Sequence, residues 1–565
     1  MRSASPLSRA DAYGTSDVEL EAPSGAAGRT IRLRSVRAGV VTLGVVYVAV
    51  RLMLVWRFPP HVDEALFAGW TLEGFEDRHL LFLPLAFGNN PMQEWVGIGV
   101  MHLGVEPLTA LRLVSLASGL AALFVVAWLA HQLGGDRAAL AAAVVWVVLP
   151  FTVVYGAVGL TDPLVMTLVA AAVALQLTIA RRPRLVLALL LGVVLGVGLL
   201  TKLTMTIALW LMPLGALVFD WQRHTLRSRL QRWLGSLALA VAVSALCYQV
   251  LRLSDAYAVS GAQRDLLVSM HSVGAFLDDP ARWLGDNWPS YRVALRGYLT
   301  VPLVVTAAVG VAAVLRTTPR LGLFFVGWLV LPLAAVVALA DTPYVRWLTI
   351  LLPALVPLIA VGVVEIVSAA ERLAGRARPV VRSIVATGVL VVLFAPALAW
   401  DVRTLSDPVT QAYPGRDDVD YVTDWSAGGP WLELEPILRR LPGSAAVAWA
   451  GGGYEYLDVV LRDEALVILP RNDQPVEPGA MLGIENRGQL VGGPGPLAWH
   501  RLRTFPRPRG GVPVVLYERG VHVGAHVATT PTELDRLLGD AGERYRSTHP
   551  AVSAWKRAWF RAHSP

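Results

Sequence analysis

Residues Leu108–Ala130 read LTALRLVSLASGLAALFVVAWLA and Ala138–Tyr155 read AALAAAVVWVVLPFTVVY, with only HQLGGDR between them. A helix needs about 20 apolar residues to cross a bilayer's hydrocarbon core, and each run is close to that length. The pair therefore reads as two membrane spans joined by a short polar loop. Outward from this pair the same pattern recurs at Ala38–Trp56, Pro163–Ala180, Leu185–Leu200, Leu203–Phe219, Trp233–Leu251, Tyr298–Leu315, Leu321–Ala340, Trp347–Val367 and Ile384–Trp400. About eleven spans are expected. Bulk composition agrees, since 55% hydrophobic and 16% charged residues with a mean hydropathy of +0.53 exclude an ordinary soluble protein.

Arginines in the short connections set the orientation, because cytoplasmic loops retain positive charge. Arg29, Arg32, Arg34 and Arg37 precede the first span, and Arg181, Arg182 and Arg184 follow the fourth. Arg223, Arg227, Arg229 and Arg232, then Arg316 with Arg320, then Arg372, Arg376, Arg378 and Arg382, mark further inner loops. The expectation is a multi-pass protein of the plasma (inner) membrane, with a cytoplasmic N-terminus and everything after Asp401 outside. The formal charge of +7 then follows from topology and gives no nucleic-acid signal. Cys247 is the only cysteine and falls inside a span, which excludes a disulfide framework and a cysteine zinc site.

Composition divides the chain into residues 1–37, a Ser/Ala/Gly-rich cytoplasmic tail without a signal-peptide core, 38–405, the transmembrane unit, and 406–565, an extracytoplasmic domain. In the last part Trp431–Leu441 and Thr532–Gly539 read as helices and Ala445–Ala450, Leu466–Pro470 and Val512–Tyr517 as strands, a small α/β domain. Gly451, Gly452 and Gly453 after a strand read as a turn, since the rest of a dinucleotide fingerprint is missing. The fold class is thus an α-helical polytopic membrane protein with interfacial helices in its first outer loop and a small C-terminal α/β domain.

Function is sought in the long outer connections. The first, Arg57–Pro107, carries HVDEALFAGWTLEGF and NNPMQEWVGIGVMHLG, amphipathic stretches that suit helices lying in the interface plane. The second, Arg252–Gly297, has scattered Trp and Tyr that suit interfacial anchoring. Charges near membrane depth are costly and call for a reason. His61, Asp63 and Glu64 cluster just past Pro59 and Pro60, and both acids are candidate catalytic residues; adjacent helical side chains point about 100° apart, so one acid can face a cleft while the other caps or pairs. Asp162, before Pro163, reads as a helix cap that also lies at the outer level, where it and Asp63 could share a divalent cation such as Mg, Mn or Zn. The chain has only two lysines, Lys202 and Lys556. Lys202, in the outer turn LLTKLT, and Arg346, in DTPYVRW, are the cations placed to hold a phosphate, with Tyr344 as a hydroxyl donor. His61 and His271 lack the i+4 partners of a metal site.

In the order and spacing of VDEA, NNPM, LRLVSLASGL, GLTDPL, LLTKLT and YVRWLTILLPALVPL, the chain resembles the GT-C class of membrane glycosyltransferases. The resemblance lies with the protein O-mannosyltransferase and lipid A aminoarabinose transferase branch and runs from about Ala38 to Trp400. It implies a polyprenyl-phosphate-linked sugar as donor, with a glycan, lipid or protein as acceptor. It also implies Asp63 as catalytic base and a role for Asp162. Many relatives have a Lys-Pro-Pro turn whose lysine meets the carrier phosphate, whereas this sequence has Asn89-Asn90-Pro91, which shifts phosphate binding to Lys202 and Arg346 and leaves Asn90 with His61 as acceptor or lipid contacts. RDDVDYVTDWSAGGPW resembles the junction of bacterial relatives that append an outer α/β domain. The expected reaction is a direct, inverting displacement at the anomeric carbon, for which a phosphate leaving group needs cations more than a general acid. Two rivals remain at this level. A transporter or flippase would place acids at mid-membrane and show an inverted repeat, and a non-catalytic scaffold would use Asp63 and Asp162 as caps alone.

Overall fold

The computed structural model describes residues 25–221, 226–267, 270–375, 378–439, 445–450, 454–461, 466–469, 482–486 and 499–519. Among these, eight helices are long and apolar enough to cross a membrane: Val36–Val55, Pro107–Val148, Thr161–Arg181, Leu226–Leu253, Pro280–Thr317, Pro319–Leu339, Val345–Leu373 and Pro379–Ser406. Every apolar run read from the sequence is helical or built of helical turns. Three differ from the regular spans expected. Pro107–Val148 contains the second span and most of the third, which part at Gly134 and Gly135. Gly135 has φ 70° and ψ −158°, a conformation open in practice only to glycine. The sixth predicted span is a relay of short turns, Leu203–Met205, Thr206–Trp210, Met212–Leu214 and Gly215–Val218, because Pro213 withholds an amide and blocks a continuous ladder. The Leu185–Thr201 helix is short for a span at 17 residues.

Broken backbone at this depth needs internal hydrogen-bond partners. Where Pro150 ends the Pro107–Val148 helix, Arg51 of the first span enters from the side. It donates to the carbonyls of Val147 at 2.7 Å and Trp146 at 3.3 Å and to Thr152 Oγ1 at 3.0 Å. Its fully buried guanidinium is thereby a cap for a helix end. Elsewhere the packing uses small residues. A Cβ on Gly310 would collide with the Leu358 carbonyl, and one on Gly362 with the Thr306 carbonyl, so the Pro280–Thr317 and Leu352–Leu373 helices cross in backbone contact.

The first long connection folds into the helices Val62–Glu76 and Met92–Met101 with two short 3-10 turns between them, the helices that the sequence reading expected there. The second, read as scattered anchors, is mostly helical: Ala256–Leu267, Val273–Asp278 and the start of Pro280–Thr317. Beyond Ser406 the chain does not leave at once for a separate domain. Tyr413, Tyr421 and Val422 are buried in the same core as the spans, Phe58 packing on Tyr413 at 5.8 Å and on Tyr421 at 5.5 Å between ring centres.

A five-stranded sheet follows. Ala445–Ala450 pairs in parallel with Leu466–Leu469 on one side and Leu482–Glu485 on the other, and Val514–Arg519 continues it antiparallel, carrying Trp499–Phe505 at the edge. The Tyr454–Val460 helix makes the crossover between the first two strands, and Gly429–Leu438 is the helix expected at Trp431–Leu441. The parallel crossover with its helix is the α/β pattern expected. The Gly451–Gly453 turn and the Thr532–Gly539 helix lie outside the described residues. Trp431, Leu434 and Leu457 form one apolar cluster with Ala65, so the domain rests on the outer-loop helix that carries Asp63.

Candidate active site

The site begins at a helix start. His61 caps the Val62–Glu76 helix, its Nδ1 accepting the Asp63 amide at 3.2 Å, while Glu64 accepts the His61 amide at 3.0 Å. This reciprocal box fixes the first turn and the directions of both acids. Glu64 turns inward. Arg112 grips it with two parallel bonds, Nε to Oε1 at 3.0 Å and Nη2 to Oε2 at 3.0 Å, and the Gly159 amide donates a third. Arg112 Nη1 in turn donates to the carbonyls of Val55 at 2.7 Å and Phe58 at 3.0 Å. The expectation that Glu64 takes part in chemistry is therefore corrected: both residues are buried, and Glu64 ties the first outer helix to the second span and to the loop before Asp162.

Asp63 turns the other way, with 29% of its side chain exposed, and forms an ion pair with Arg346 at 2.5 Å. Burial alone would raise its pKa, but the charges of Arg346 and Lys202 outweigh burial and hold it at about 2. Arg346 comes from the Val345–Leu351 turn, whose first residues are set by Pro343 and Tyr344. Lys202 follows the last residue of the Leu185–Thr201 helix and donates to Asp162 Oδ1 at 2.7 Å. Asp162 is buried in the first turn of Thr161–Arg181, where the helix dipole favours an anion. Lys202 also lies within electrostatic reach of both Asp63 and Arg346. Four residues read separately from distant parts of the sequence thus form one cluster of two crossed ion pairs.

The remaining candidates divide. Tyr344 lies beside the cluster, its ring centre 4.5 Å from the Arg346 guanidinium carbon. His61 is buried as a cap and packs on Tyr421 at 5.0 Å. Asn90 is corrected from an acceptor or lipid contact to a structural tie: it is buried, and its Nδ2 donates to the Leu199 carbonyl at 2.5 Å, three residues before Lys202. His271 stacks on Trp283 at 3.7 Å in the second outer loop and is not part of the cluster. A divalent cation between Asp63 and Asp162 would compete with Arg346 and Lys202, which stand against the two carboxylates. Among the described residues no group of three or more His, Cys, Asp or Glu comes together to hold a metal ion.

Residues 88–248 match the family model described as dolichyl-phosphate-mannose-protein mannosyltransferase. Two crystal structures of ArnT from Cupriavidus metallidurans are similar to the chain in fold. The apo form has a TM-score of 0.54 at 14% identity, covering 87% of this chain and 98% of that one. The form bound to undecaprenyl phosphate has a TM-score of 0.51 at 17% identity, covering 85% and 97%. The likeness to ArnT is one of fold. No curated protein sequence is significantly similar to the chain.

One part of the site escaped the sequence reading. The segment after the last span returns as a strap against the start of the helix that carries Asp63: His61 and Ala427 form a β-bridge, and the Val62 amide donates to the Ser426 carbonyl at 3.2 Å. Along the strap, Asp417 accepts hydrogen bonds from Tyr155 at 2.9 Å and Tyr298 at 2.5 Å. Burial raises its pKa to about 7 against those hydrogen bonds. Asp420, also raised by burial, lies 3.4 Å from Arg416 and within electrostatic reach of His61, Arg346 and Asp63. The available signal was RDDVDYVTDW itself, three acids in five residues interleaved with aromatic and apolar ones, a pattern poorly suited to a solvated linker. Arg112 gave a signal too, as a lone charge four residues inside an apolar run, where a buried partner is expected.

Proposed function

We propose that the chain is a membrane glycosyltransferase that moves a sugar from a polyprenyl-phosphate carrier to an acceptor hydroxyl on the extracytoplasmic side of the plasma membrane. In this reading Lys202 and Arg346 hold the carrier phosphate, and Asp63 is the general base. The observation that carries it is the crossed pair of salt bridges, Asp63–Arg346 and Asp162–Lys202, gathered at the outer rim of the spans. The matched family's description and the undecaprenyl phosphate bound by ArnT support a lipid-phosphate donor.

The arrangement suits a direct displacement. The acceptor oxygen attacks the anomeric carbon, the bond from that carbon to the phosphate oxygen breaks, and its electron pair leaves on the phosphate. The acceptor proton passes to Asp63. A carboxylate held near pKa 2 is a weak base, so Arg346 must loosen its grip as the proton arrives. The donor phosphodiester carries one negative charge and the departing monoester gains a second. Arg346 can therefore turn from Asp63 toward the phosphate as Asp63 is neutralised, which concentrates its stabilisation in the transition state. Lys202, oriented by Asp162, supplies the second contact.

The test is incubation of the purified full-length protein with a panel of polyprenyl-phosphate sugars, following release of carrier phosphate. Turnover is expected with at least one donor. Asp63→Asn is expected to abolish it while the protein remains folded and inserted; full turnover in that variant would remove Asp63 from the base role.

A further inference from the structure

Arg416 is a cation that the scheme above does not use. It comes from the strap beyond the last span, yet its guanidinium carbon lies 4.9 Å from the centre of the Tyr344 ring, the same ring that Arg346 approaches at 4.5 Å. Both guanidiniums thus pack against one aromatic side chain, which places Arg416 within reach of the Asp63–Arg346 pair. Tyr344 is held in place by Trp347, whose ring centre is 5.6 Å away, so the wall is set by the Val345–Leu351 turn and does not depend on the strap alone.

Its charge is weakly committed. Arg416 Nε is shielded from solvent and makes no hydrogen bond, lying 3.4 Å from Asp420 Oδ1. By contrast, the Arg346–Asp63 and Lys202–Asp162 pairs close at 2.5 and 2.7 Å. About a third of the Arg416 side chain is exposed, so its outer nitrogens remain reachable. A phosphate bound by Arg346 and Lys202 would meet two cations that are each already neutralised by an acid. A third cation, loosely paired, is what a doubly charged leaving group still lacks, and a guanidinium is the side chain best shaped to meet phosphate oxygens.

We propose that Arg416 is the third phosphate-binding cation of the site, delivered by the strap, with Asp420 as the acid that holds it until a carrier phosphate arrives. The proposal rests on the phosphate reading of Lys202 and Arg346 and extends it. It makes the segment after the last span part of the donor site.

The experiment measures binding of undecaprenyl phosphate to the full-length protein in nanodiscs, with inorganic phosphate as competitor to separate headgroup recognition from capture of the lipid tail. Arg416→Gln is expected to weaken binding about tenfold, the scale of one charge-assisted contact. Arg416→Lys is expected to lose less. Asp420→Asn removes the competing acid and is expected to tighten binding several-fold, an effect opposite in sign to that of damage to the fold. Wild-type affinity in Arg416→Gln, or weaker binding in Asp420→Asn, would overturn the proposal. Should Arg346→Ala and Lys202→Ala also bind normally, or the wild type ignore the lipid, the phosphate reading would fall with it. Loss at Arg346 and Lys202 with no change at Arg416 would overturn the strap's role alone.

Discussion

Glu64→Gln and Asp63→Asn alter neighbouring residues by the same chemistry and are expected to do opposite things. Glu64 is fully buried, and its two oxygens receive Arg112 Nε and Nη2 at 3.0 Å each, together with the His61 and Gly159 amides. Glutamine keeps the shape but removes the charge, and its amide nitrogen must face at least one donor. Arg112 would be left buried without a counter-charge, keeping the Val55 and Phe58 carbonyls and at most one bond to the glutamine oxygen. Breaking a buried pair by removing one partner costs about 3–5 kcal/mol. At roughly 2–4 °C per kcal/mol for domains of 150–250 residues, and less for larger ones, the apparent Tm should drop by several degrees. Asp63 is partly exposed and receives one ion pair rather than a fully buried two-bond grip, so Asp63→Asn should cost less stability than Glu64→Gln. The assay is thermal unfolding in detergent beside turnover for each variant. A Glu64→Gln protein as heat-stable as wild type but inactive would refute the division of roles between the two acids. Replacing both members, Glu64→Leu with Arg112→Met, should recover part of the lost stability, since no charge is then left buried alone.

Two further outcomes follow from the same geometry. Asp417 has a folded pKa of about 7, above the value of about 3.9 for an unfolded chain, so between those limits the folded state keeps a proton that the unfolded state has lost. Its contribution to stability is full below about pH 4 and is lost as pH rises toward 7; the Tm profile of Asp417→Asn should be flatter across that window, and an identical slope would remove Asp417 as its source. Asn90→Ala removes the tie to the Leu199 carbonyl just before Lys202. A lost hydrogen bond of about 1 kcal/mol should loosen Lys202 and weaken undecaprenyl phosphate binding roughly fivefold, measurable by titration; unchanged affinity would show that Lys202 is positioned without it.

How far the site was legible depended on whether each residue's role was local. Asp63, Asp162, Lys202 and Arg346 could be found because a charge near membrane depth stands out against apolar neighbours, and each sits beside a helix end or turn marked by proline or by a break in hydropathy. Which cation would meet which acid could not be read. Asp63 and Arg346 are 283 residues apart and Lys202 and Asp162 are 40 apart, and both pairings depend on how the spans cross. The choice between Asp63 and Glu64 was equally hidden, because it turns on whether Arg112 of the following span reaches the helix start.

The sequence by itself determined the apolar segments, the small C-terminal α/β domain and the short inventory of charges near the ends of the spans. These follow from chain-local quantities: the length of an apolar run, the side of the arginines, and strand and helix periodicity. Tertiary structure alone decided that the third span joins the second through a glycine break, that the sixth is a relay of turns, and that the strap after the last span pairs with the start of the Asp63 helix. It also turned the rim charges into two crossed ion pairs. Hydrophobicity fixes which segments enter the membrane but is nearly indifferent to which segments touch; contact is set by small-residue crossings such as Gly310 with Gly362 and by the need of every buried charge for a partner.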